Sequence, residues 1–237
     1  MTGIAQFLAK NNLETLKEWS NVGYKHIKDY DKILSKSLKI PESIKITSIK
    51  PSGTVSLLAG ATPGIHFPHS RFYIRRVRLA KDSKLIQVLK DLGYHLEEDV
   101  MQPNTNVIVS FPIDIGQNVK TLKDTNLWEQ LLITTFMQNH WADNQVSCTI
   151  SFKNSTEGHL LSTAINYFQY QLKSISFLPI NDDAHPYPQM PYEEINEEMY
   201  DSMMKMIKIS EIQGNYNKLT FQNQESKFCD TDSCSHI

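Results

Sequence analysis

The sequence predicts a mixed α/β protein, organised as one large domain or two small ones. Strand-like and helix-like segments alternate along most of the 237 residues, a pattern typical of parallel strands joined by helical crossovers. Apolar residues make up 40% of the chain, which is close to the globular average and sufficient for a buried core.

The first 61 residues contain a long predicted helix and a predicted strand. Apolar residues recur at helical spacing over 13–38, and Asn21–Gly23 is expected to kink or split this helix. Residues 43–49 alternate between polar and apolar, which predicts a strand. The turn at Pro51–Gly53 then separates this strand from an apolar segment, residues 55–61.

The middle of the chain predicts a strand, a helix, a strand, a helix and a strand, over residues 71–79, 83–92, 106–111, 126–142 and 146–152. Ser83 is the expected N-cap of the first of these helices, and Gly93 is placed to end it. Pro112 is expected to close the second of the three strands.

The C-terminal part is predicted to continue with a helix, a strand, a proline-rich loop, a second helix and a polar tail. These elements cover residues 156–173, 174–178, 181–191, 191–209 and 211–237. Acidic residues early in the second helix and lysines near its end suit the helix dipole. We therefore expect two parts, a folded portion over 1–210 and a flexible tail over 211–237.

The charge balance and the two ends of the chain disfavour several classes of protein. The 24 basic and 26 acidic residues give a net charge of −2, so there is no electrostatic case for binding nucleic acid or a membrane surface. No stretch approaches the roughly 18 apolar residues of a membrane span, and no signal peptide is evident. Three cysteines do not make a disulfide framework. These features predict a soluble, cytoplasmic protein.

The turn Lys50–Thr54 (KPSGT) lies between a predicted strand and a helix-like segment, where a backbone turn can bind an anion. Gly53 allows a ligand to approach the backbone, while Ser52 and Thr54 offer hydroxyl groups. The alternative is an ordinary turn in which Ser52 and Thr54 cap the following segment. Spacing alone favours the ordinary turn.

All four arginines of the chain fall within eight residues, at Arg71, Arg75, Arg76 and Arg78. On a strand, Arg76 and Arg78 would face one side and Arg75 the other, so they cannot all bind one ligand. Arginine suits phosphate or carboxylate groups, and the clustering beside KPSGT favours a phosphate site. Internal ion pairs are an equally good explanation for each single arginine.

His66 and His69 lie in a proline-flanked loop, PGIHFPHS. Two histidines are too few for a typical metal site, and no further ligand stands at a suitable spacing. We therefore expect packed, hydrogen-bonded loop histidines and no metal.

The three cysteines occupy two different settings. Cys148 stands in a predicted strand, where a lone thiol usually behaves as a small apolar side chain. Cys229 and Cys234 form a CxxxxC pair on the predicted tail. A dithiol on a flexible tail suits disulfide exchange between two locations. One alternative is a tail whose cysteines have no function. A zinc site is a second and less well supported alternative.

Four segments together resemble one family. They are Lys50–Arg78 (KPSGTVSLLAGATPGIHFPHSRFYIRRVR), Asn144–Phe152 (NQVSCTISF), Phe177–Pro179 (FLP) and the terminal CxxxxC pair. These segments resemble the adenosylcobalamin-dependent, class II ribonucleoside-triphosphate reductases. The resemblance covers nearly the whole chain and corresponds to the C-terminal third of such an enzyme.

The resemblance implies a fold and a reaction. It implies the C-terminal part of a ten-stranded α/β barrel with a mobile tail. It implies reduction of ribonucleoside triphosphates to 2′-deoxyribonucleotides for DNA synthesis, by a thiyl-radical mechanism with adenosylcobalamin as cofactor. Thioredoxin would be the reductant and would act through Cys229 and Cys234.

The resemblance also implies two binding regions. Ser52, Gly53 and Thr54 would hold the substrate phosphates. The cofactor would pack against the loop carrying Pro63, Gly64, His66 and His69, and against the proline-rich loop carrying His185 and Tyr187. The histidines need not bind cobalt, because the cofactor keeps its own base on the metal in this family.

This sequence also departs from the family pattern, because the radical cysteine, its partners and the active-site reducing cysteines lie upstream in the family. The allosteric region is upstream as well. We therefore expect the chain to be inactive without a missing upstream segment. The alternatives are a non-catalytic module that binds cobalamin or nucleotide, and a small thiol-redox protein that uses the tail dithiol alone.

Overall fold

A computed structural model of the chain describes residues 1–53, 55–180 and 187–208. Six predicted features lie wholly or partly outside these residues: Thr54, His185, Cys229, Cys234, most of the 181–191 loop and the 211–237 tail. In chain order the helices are α1 (Ile4–Lys10), α2 (Leu13–Leu38), α3 (Val55–Leu58), α4 (Leu85–Asp91), α5 (Leu127–His140), α6 (Asn154–Glu157), α7 (Leu161–Phe168) and α8 (Glu197–Met206). The strands are β1 (Phe72–Ala80), β2 (His95–Glu98), β3 (Asn106–Asp114), β4 (Thr149–Lys153), β5 (Ser176–Ile180) and β6 (Tyr192–Glu194).

The chain divides into two units. The first combines Met1–Arg75 with Pro112–Tyr200, and the second combines Arg76–Phe111 with the described residues from Asp201 onward. Among the described residues, no helix has the length and apolar character needed to cross a membrane.

The first unit contains the main hydrophobic core. Many of its fully buried side chains come from α5, from β4 and from the segment that precedes β4, among them Leu127, Leu131, Met137, Val146 and Ile150. Strands β4 and β5 pair in parallel from Thr149↔Ser176 to Lys153↔Ile180, and α6 and α7 connect them. This pair confirms that the chain contains a parallel strand–helix–strand crossover.

A four-stranded sheet has the order β2-β3-β1-β6. In the first unit, β1 pairs antiparallel with β6 through Tyr73↔Glu194. In the second unit, β2 pairs antiparallel with β3 through Leu96↔Val109. The fold is therefore α/β, as predicted, although these pairs are antiparallel rather than parallel.

Several predicted elements are observed near their expected positions. The helix over 13–38 is α2, and the structure shows it as one uninterrupted helix rather than two. Gly23 does not split it, and a β-carbon there would lie 3.4 Å from the Trp141 ring, an ordinary contact distance. The helix over 126–142 is α5, and the side chain of its N-cap, Asn126, accepts from Glu129 N at 2.9 Å.

The strand predicted over 43–49 is wrong. This segment forms a single parallel bridge, Ile49↔Val146. Ile46 N donates to the Asp143 carboxylate at 3.0 Å instead of to a neighbouring strand. A side chain therefore takes the place of a regular ladder.

Pro112 does not close its strand, because β3 continues to Asp114. The partners of β2 are Val107–Ser110, so Pro112 lies beyond the stretch that pairs with β2. A missing N–H is tolerated at such a position.

Three helix predictions need correction. The helix over 156–173 is broken into α6, a 3₁₀ turn at Gly158–Leu160, and α7, which ends at Phe168. The helix from Pro191 begins only at Glu197, because Tyr192–Glu194 pairs with β1 as a strand. Helix α4 begins at Leu85, with Lys84 at the N-cap position and no cap bond from the Lys84 side chain. The Ser83 hydroxyl nevertheless accepts from Leu85 N at 3.4 Å, so Ser83 caps α4 from one residue before that position.

Candidate functional site

The KPSGT turn has a constrained backbone. Ser52 adopts a positive φ of 52°, and Ser56 N donates to Ser52 O at 3.2 Å. The Ser56 hydroxyl donates to the same carbonyl. A β-carbon at Gly53 would lie 3.2 Å from the Tyr192 hydroxyl oxygen. Glycine at this position therefore lets the turn pack closely against Tyr192.

The histidine loop packs directly on the first residue of this turn, Lys50. Gly64 has a φ of +54°, and a β-carbon there would lie 2.5 Å from the Lys50 carbonyl oxygen. Gly64 N also donates to the Thr2 hydroxyl at 2.9 Å. Any side chain at Gly64 would push the loop away from the turn.

The turn and the loop together form a cleft of about 280 Å³ in the first unit. Four of the predicted site residues meet there: Gly53 from the phosphate turn, and Pro63, His66 and His69 from the cofactor loop. The remaining lining residues are Pro51, Phe67, Pro68, Tyr73, Leu122 and Tyr192. Ser52 and Gly64 are adjacent in sequence to lining residues, whereas Tyr187 is exposed and does not line the cleft.

Sequence analysis missed three lining residues, namely Tyr73, Leu122 and Tyr192. Tyr192 was placed on a predicted helix, and Leu122 lay in a stretch without a clear pattern. Burial raises the pKa of the Tyr73 hydroxyl to about 12. Tyr73 therefore stays neutral and contributes an apolar wall with a hydroxyl group.

Both ring nitrogens of His66 are engaged. Nδ1 lies 3.2 Å from Pro63 O, and Nε2 accepts from Thr149 N at 3.2 Å. A backbone N–H needs an unprotonated acceptor, so the neutral tautomer carries its proton on Nδ1. Burial lowers the pKa of His66, and the Pro63 carbonyl opposes this only in part.

His66 therefore has no lone pair available for a metal. Among the described residues, no group of three or more metal-ligating side chains occurs.

Arg75 connects three segments that border the cleft. Its Nε donates to Gly53 O at 3.4 Å, and its Nη1 donates to Pro191 O at 3.1 Å. The guanidinium also lies 4.6 Å from the centre of the Tyr192 ring. Arg75 thus links β1 to the KPSGT turn and to the start of β6.

Comparison with known proteins gives consistent matches. The chain is 48% identical to a probable adenosylcobalamin-dependent ribonucleoside-triphosphate reductase of Dictyostelium discoideum, over 100% of the chain and 31% of that protein. It is 46% identical to the adenosylcobalamin-dependent ribonucleoside-triphosphate reductase of Euglena gracilis, over 99% of the chain and 32% of that protein. The chain matches one region of these reductases.

A solved structure and the family models complete the comparison. The crystal structure of a B-12-dependent, class II ribonucleotide reductase matches 92% of this chain and 34% of its own, with a TM-score of 0.77 and 30% identity. No family model matches the chain. The chain spans about a third of the length of the curated relatives it matches. The resemblance to adenosylcobalamin-dependent ribonucleoside-triphosphate reductases is therefore confirmed.

Among the described residues of this chain, three of the four arginines form ion pairs. Arg71 lies 3.4 Å from Asp114 in the first unit, measured from Nε to the carboxylate. In the second unit, Arg76 lies 3.5 Å from Glu97 and Arg78 lies 3.1 Å from Asp99, measured in the same way. The alternative explanation, internal ion pairs, is thus observed for these three residues, and Arg75 is the arginine beside the cleft.

The thiol of Cys148 is buried. It lines a second cavity of about 230 Å³ and lies 3.4 Å from the Thr134 hydroxyl. Burial raises the pKa of the Cys148 thiol, and the Thr134 contact opposes this only in part. Such a thiol stays protonated and is a poor nucleophile.

Proposed function

We propose that this chain is the C-terminal part of an adenosylcobalamin-dependent ribonucleoside-triphosphate reductase that acts in the cytoplasm in DNA precursor synthesis. The supporting observation is the convergence of the KPSGT turn and the PGIHFPHS loop on one cleft. The proposal places the substrate phosphates at Ser52, Gly53 and Thr54, and places the cofactor along Pro63–His69 and the loop of His185 and Tyr187.

The cleft suits one side of such a site. Ligand pockets typically enclose about 300–1,000 Å³, and this cleft offers about 280 Å³. It can therefore contact part of a cofactor or nucleotide, while the rest of the enzyme would cover the remainder. Phe67, Tyr73 and Tyr192 form a wall suited to flat rings.

The histidines of the cleft suit the cofactor as packing groups rather than as cobalt ligands. Both ring nitrogens of His66 are hydrogen-bonded. His69 is exposed on the cleft. Adenosylcobalamin, when bound, supplies the radical chemistry of these enzymes. The residues of this chain would orient the cofactor and exclude water.

The tail dithiol would supply electrons. Reduction of a ribonucleotide consumes a dithiol and yields a 2′-deoxyribonucleotide, a disulfide and water. Cys229 and Cys234 would exchange with that active-site disulfide, passing two electrons and two protons and becoming a disulfide themselves. Thioredoxin would then reduce the tail disulfide.

The proposal extends to the fold. The β4–β5 pair is parallel, and the Ile49↔Val146 bridge adds a third parallel segment. A parallel sheet of only two strands is rarely stable by itself, because both of its faces and both of its edges must be covered by other parts of the protein. We propose that these strands continue into a ten-stranded barrel completed by the rest of the enzyme. Residues 1–210 would form this portion and 211–237 its flexible tail.

The test is adenosylcobalamin-dependent reduction of a ribonucleoside triphosphate with thioredoxin. The chain is assayed alone and mixed with the complementary part, meaning the region of the Euglena gracilis reductase that this chain does not match. Activity is expected only in the mixture. An absence of ribonucleotide reduction in the mixture would contradict the proposal.

A cysteine variant tests the dithiol separately. Cys229→Ser should abolish multiple turnover with thioredoxin, because the tail can no longer form its disulfide. Dithiothreitol, which reduces the active site directly, should restore turnover in the same variant. Unchanged turnover of Cys229→Ser with thioredoxin would exclude the shuttle role.

The second candidate is a non-catalytic module that binds cobalamin or nucleotide. The burial and raised pKa of Cys148 favour it, because Cys148 is the only cysteine among the described residues. A chain that perturbs the cobalamin absorption spectrum, but gives no reduction in the mixture, would support this candidate.

A further inference from the structure

Helix α2 buries small and polar residues on the side that packs against its own unit. Its buried side chains are Leu16, Ser20 and Ser35. Tyr24 on this side donates to the Asp143 carboxylate at 2.8 Å. Two serines among three buried positions is unusual for a helix that packs on a hydrophobic core.

Eight large apolar residues of α2 are exposed instead: Leu13, Trp19, Val22, Ile27, Tyr30, Ile33, Leu34 and Leu38. Four of them lie on one side of the helix. Trp19 is 64% exposed, Val22 64%, Tyr30 58% and Ile33 67%. At 3.6 residues per turn, these four side chains fall within about 80° of one another around the helix axis. The exposed His26 lies on the same side, between Val22 and Tyr30, and the Trp19 ring packs edge-on against Phe7 with its centre 5.4 Å away. The four side chains thus form a mainly apolar strip with one histidine, which we call the α2 seam. Such a strip is typical of packing between helices.

We propose that the α2 seam is a docking surface for the part of the reductase that this chain does not span. This inference rests on the proposed function. The curated relatives are about three times as long as the matched region, so most of such a polypeptide remains to be packed. In this proposal the apolar face of a helix from the rest of the polypeptide packs against the α2 seam.

A second copy of this chain is a poorer occupant. Between Lys25 and Lys36 the helix carries four lysines and two aspartates, a net charge of 4 − 2 = +2. Two copies packed along the same half of α2 would bring like charges together, which disfavours self-association. A partner face that is neutral or acidic beside its apolar strip would not face this repulsion.

The test measures the dissociation constant between the full chain and the complementary part by titration calorimetry. Ile33→Glu places a charge in the seam and should weaken binding at least about tenfold, as expected for a buried apolar contact. Lys32→Glu is the matched control at the neighbouring position, where the side chain is 49% exposed. It changes the charge by twice as much, yet should leave binding within about threefold of wild type.

A second readout locates the contact. The emission of Trp19 should shift to the blue when the complementary part binds, and Trp19→Phe should remove that shift while keeping the affinity within about fivefold. Circular dichroism of Ile33→Glu should match wild type, because Ile33 is exposed in the chain itself.

Three results would overturn the inference. The first is equal affinity of Ile33→Glu and wild type for the complementary part, and the second is no binding of that part at all. The third is a homodimer of the chain that Ile33→Glu dissociates but that the complementary part does not displace. Failure of the proposed function gives a different result. Binding that depends on the seam, without any nucleotide reduction in the mixture, keeps the docking surface and rejects the reductase activity.

Discussion

Gly64 has a left-handed backbone conformation and lies in contact with the Lys50 carbonyl. The φ of +54° disfavours any other residue, and a β-carbon would lie 2.5 Å from that oxygen. Gly64→Ala should therefore loosen the histidine loop from the turn. In hydrogen exchange measured by mass spectrometry, amides of 63–69 should exchange at least about tenfold faster, which corresponds to about 1.4 kcal/mol.

Gly60 provides the control for this substitution. It has a similar φ of +65°, but a β-carbon there meets nothing within 4 Å. Gly60→Ala should therefore show only the backbone strain, with a smaller increase in exchange. Equal effects of the two variants would show that contact with Lys50 does not hold the loop.

His66 should make stability depend on pH. Burial lowers its pKa from the ordinary 6.5, so the unfolded chain binds a proton that the folded chain does not. This contribution is fully present above pH 6.5 and is lost as the pH falls towards the lowered pKa. The melting temperature of the chain bound to its complementary part should drop between pH 7.5 and 5.5. The drop should be smaller in His66→Gln, and an equal drop in both proteins would contradict this assignment.

Arg75 should set the affinity of the cleft for substrate. Lysine keeps the charge but cannot bridge the Gly53 and Pro191 carbonyls with one planar group. In the active mixture, Arg75→Lys should raise KM for the ribonucleoside triphosphate about tenfold, with a smaller effect on kcat. Arg71→Lys, at a surface pair with Asp114, should change neither constant. A change in kcat alone would contradict a positioning role.

At the scale of single elements, one carboxylate joins the start of α5 to the end of β4. Glu157 accepts from Leu127 N at 2.7 Å and from Lys153 N at 2.8 Å. The first N–H groups of a helix have no partner within it, so this side chain caps α5 from outside. Glu157→Gln keeps only one acceptor oxygen and should speed exchange of at least one of these two amides about tenfold, or about 1–2 kcal/mol.

Glu129 is the control for Glu157. It forms a surface pair with Lys120, 2.6 Å from Nζ to the carboxylate, and such pairs contribute little. Glu129→Gln should leave the Leu127 and Lys153 amides unchanged. Equal exchange in Glu157→Gln and wild type would show that these bonds are not needed at either element.

Helices and strands are predicted correctly where a long periodic pattern of apolar residues specifies them. The predictions fail where a contact with a residue distant in sequence determines the local structure. Helices α2 and α5 were predicted because apolar residues recur over 26 and 14 residues. Strand β6 was missed because its acids suit a helix, and only pairing with β1 makes it a strand. Residues 43–49 alternate like a strand, yet Asp143 takes the Ile46 N–H.

At the scale of the whole molecule, the isolated chain should be partly molten or prone to aggregation. The exposed α2 seam and the parallel pair β4–β5 leave apolar surface and strand edges uncovered among the described residues. The chain alone should bind the dye ANS and melt over a broad range, and the complementary part should reduce dye binding. A sharp cooperative melt of a monomer without dye binding would contradict this prediction.

The α/β class, the long helices, the arginine strand and the resemblance to class II reductases can all be predicted from the sequence alone. These are carried by local periodicity and by contiguous motifs such as KPSGT and PGIHFPHS. The sequence also placed Gly53, Pro63, His66 and His69 among the candidate site residues, but in two separate regions.

That those residues share one cleft with Tyr73, Leu122 and Tyr192 is visible only in the folded chain. The structure also shows that Arg75 contacts two residues of that cleft, Gly53 and Tyr192, while the three other arginines form ion pairs. Tyr192 lies 139 positions after Gly53 in the chain, and no local pattern relates residues so far apart. Their contact follows from strand pairing and close backbone packing at Gly53 and Gly64, which are properties of the folded chain.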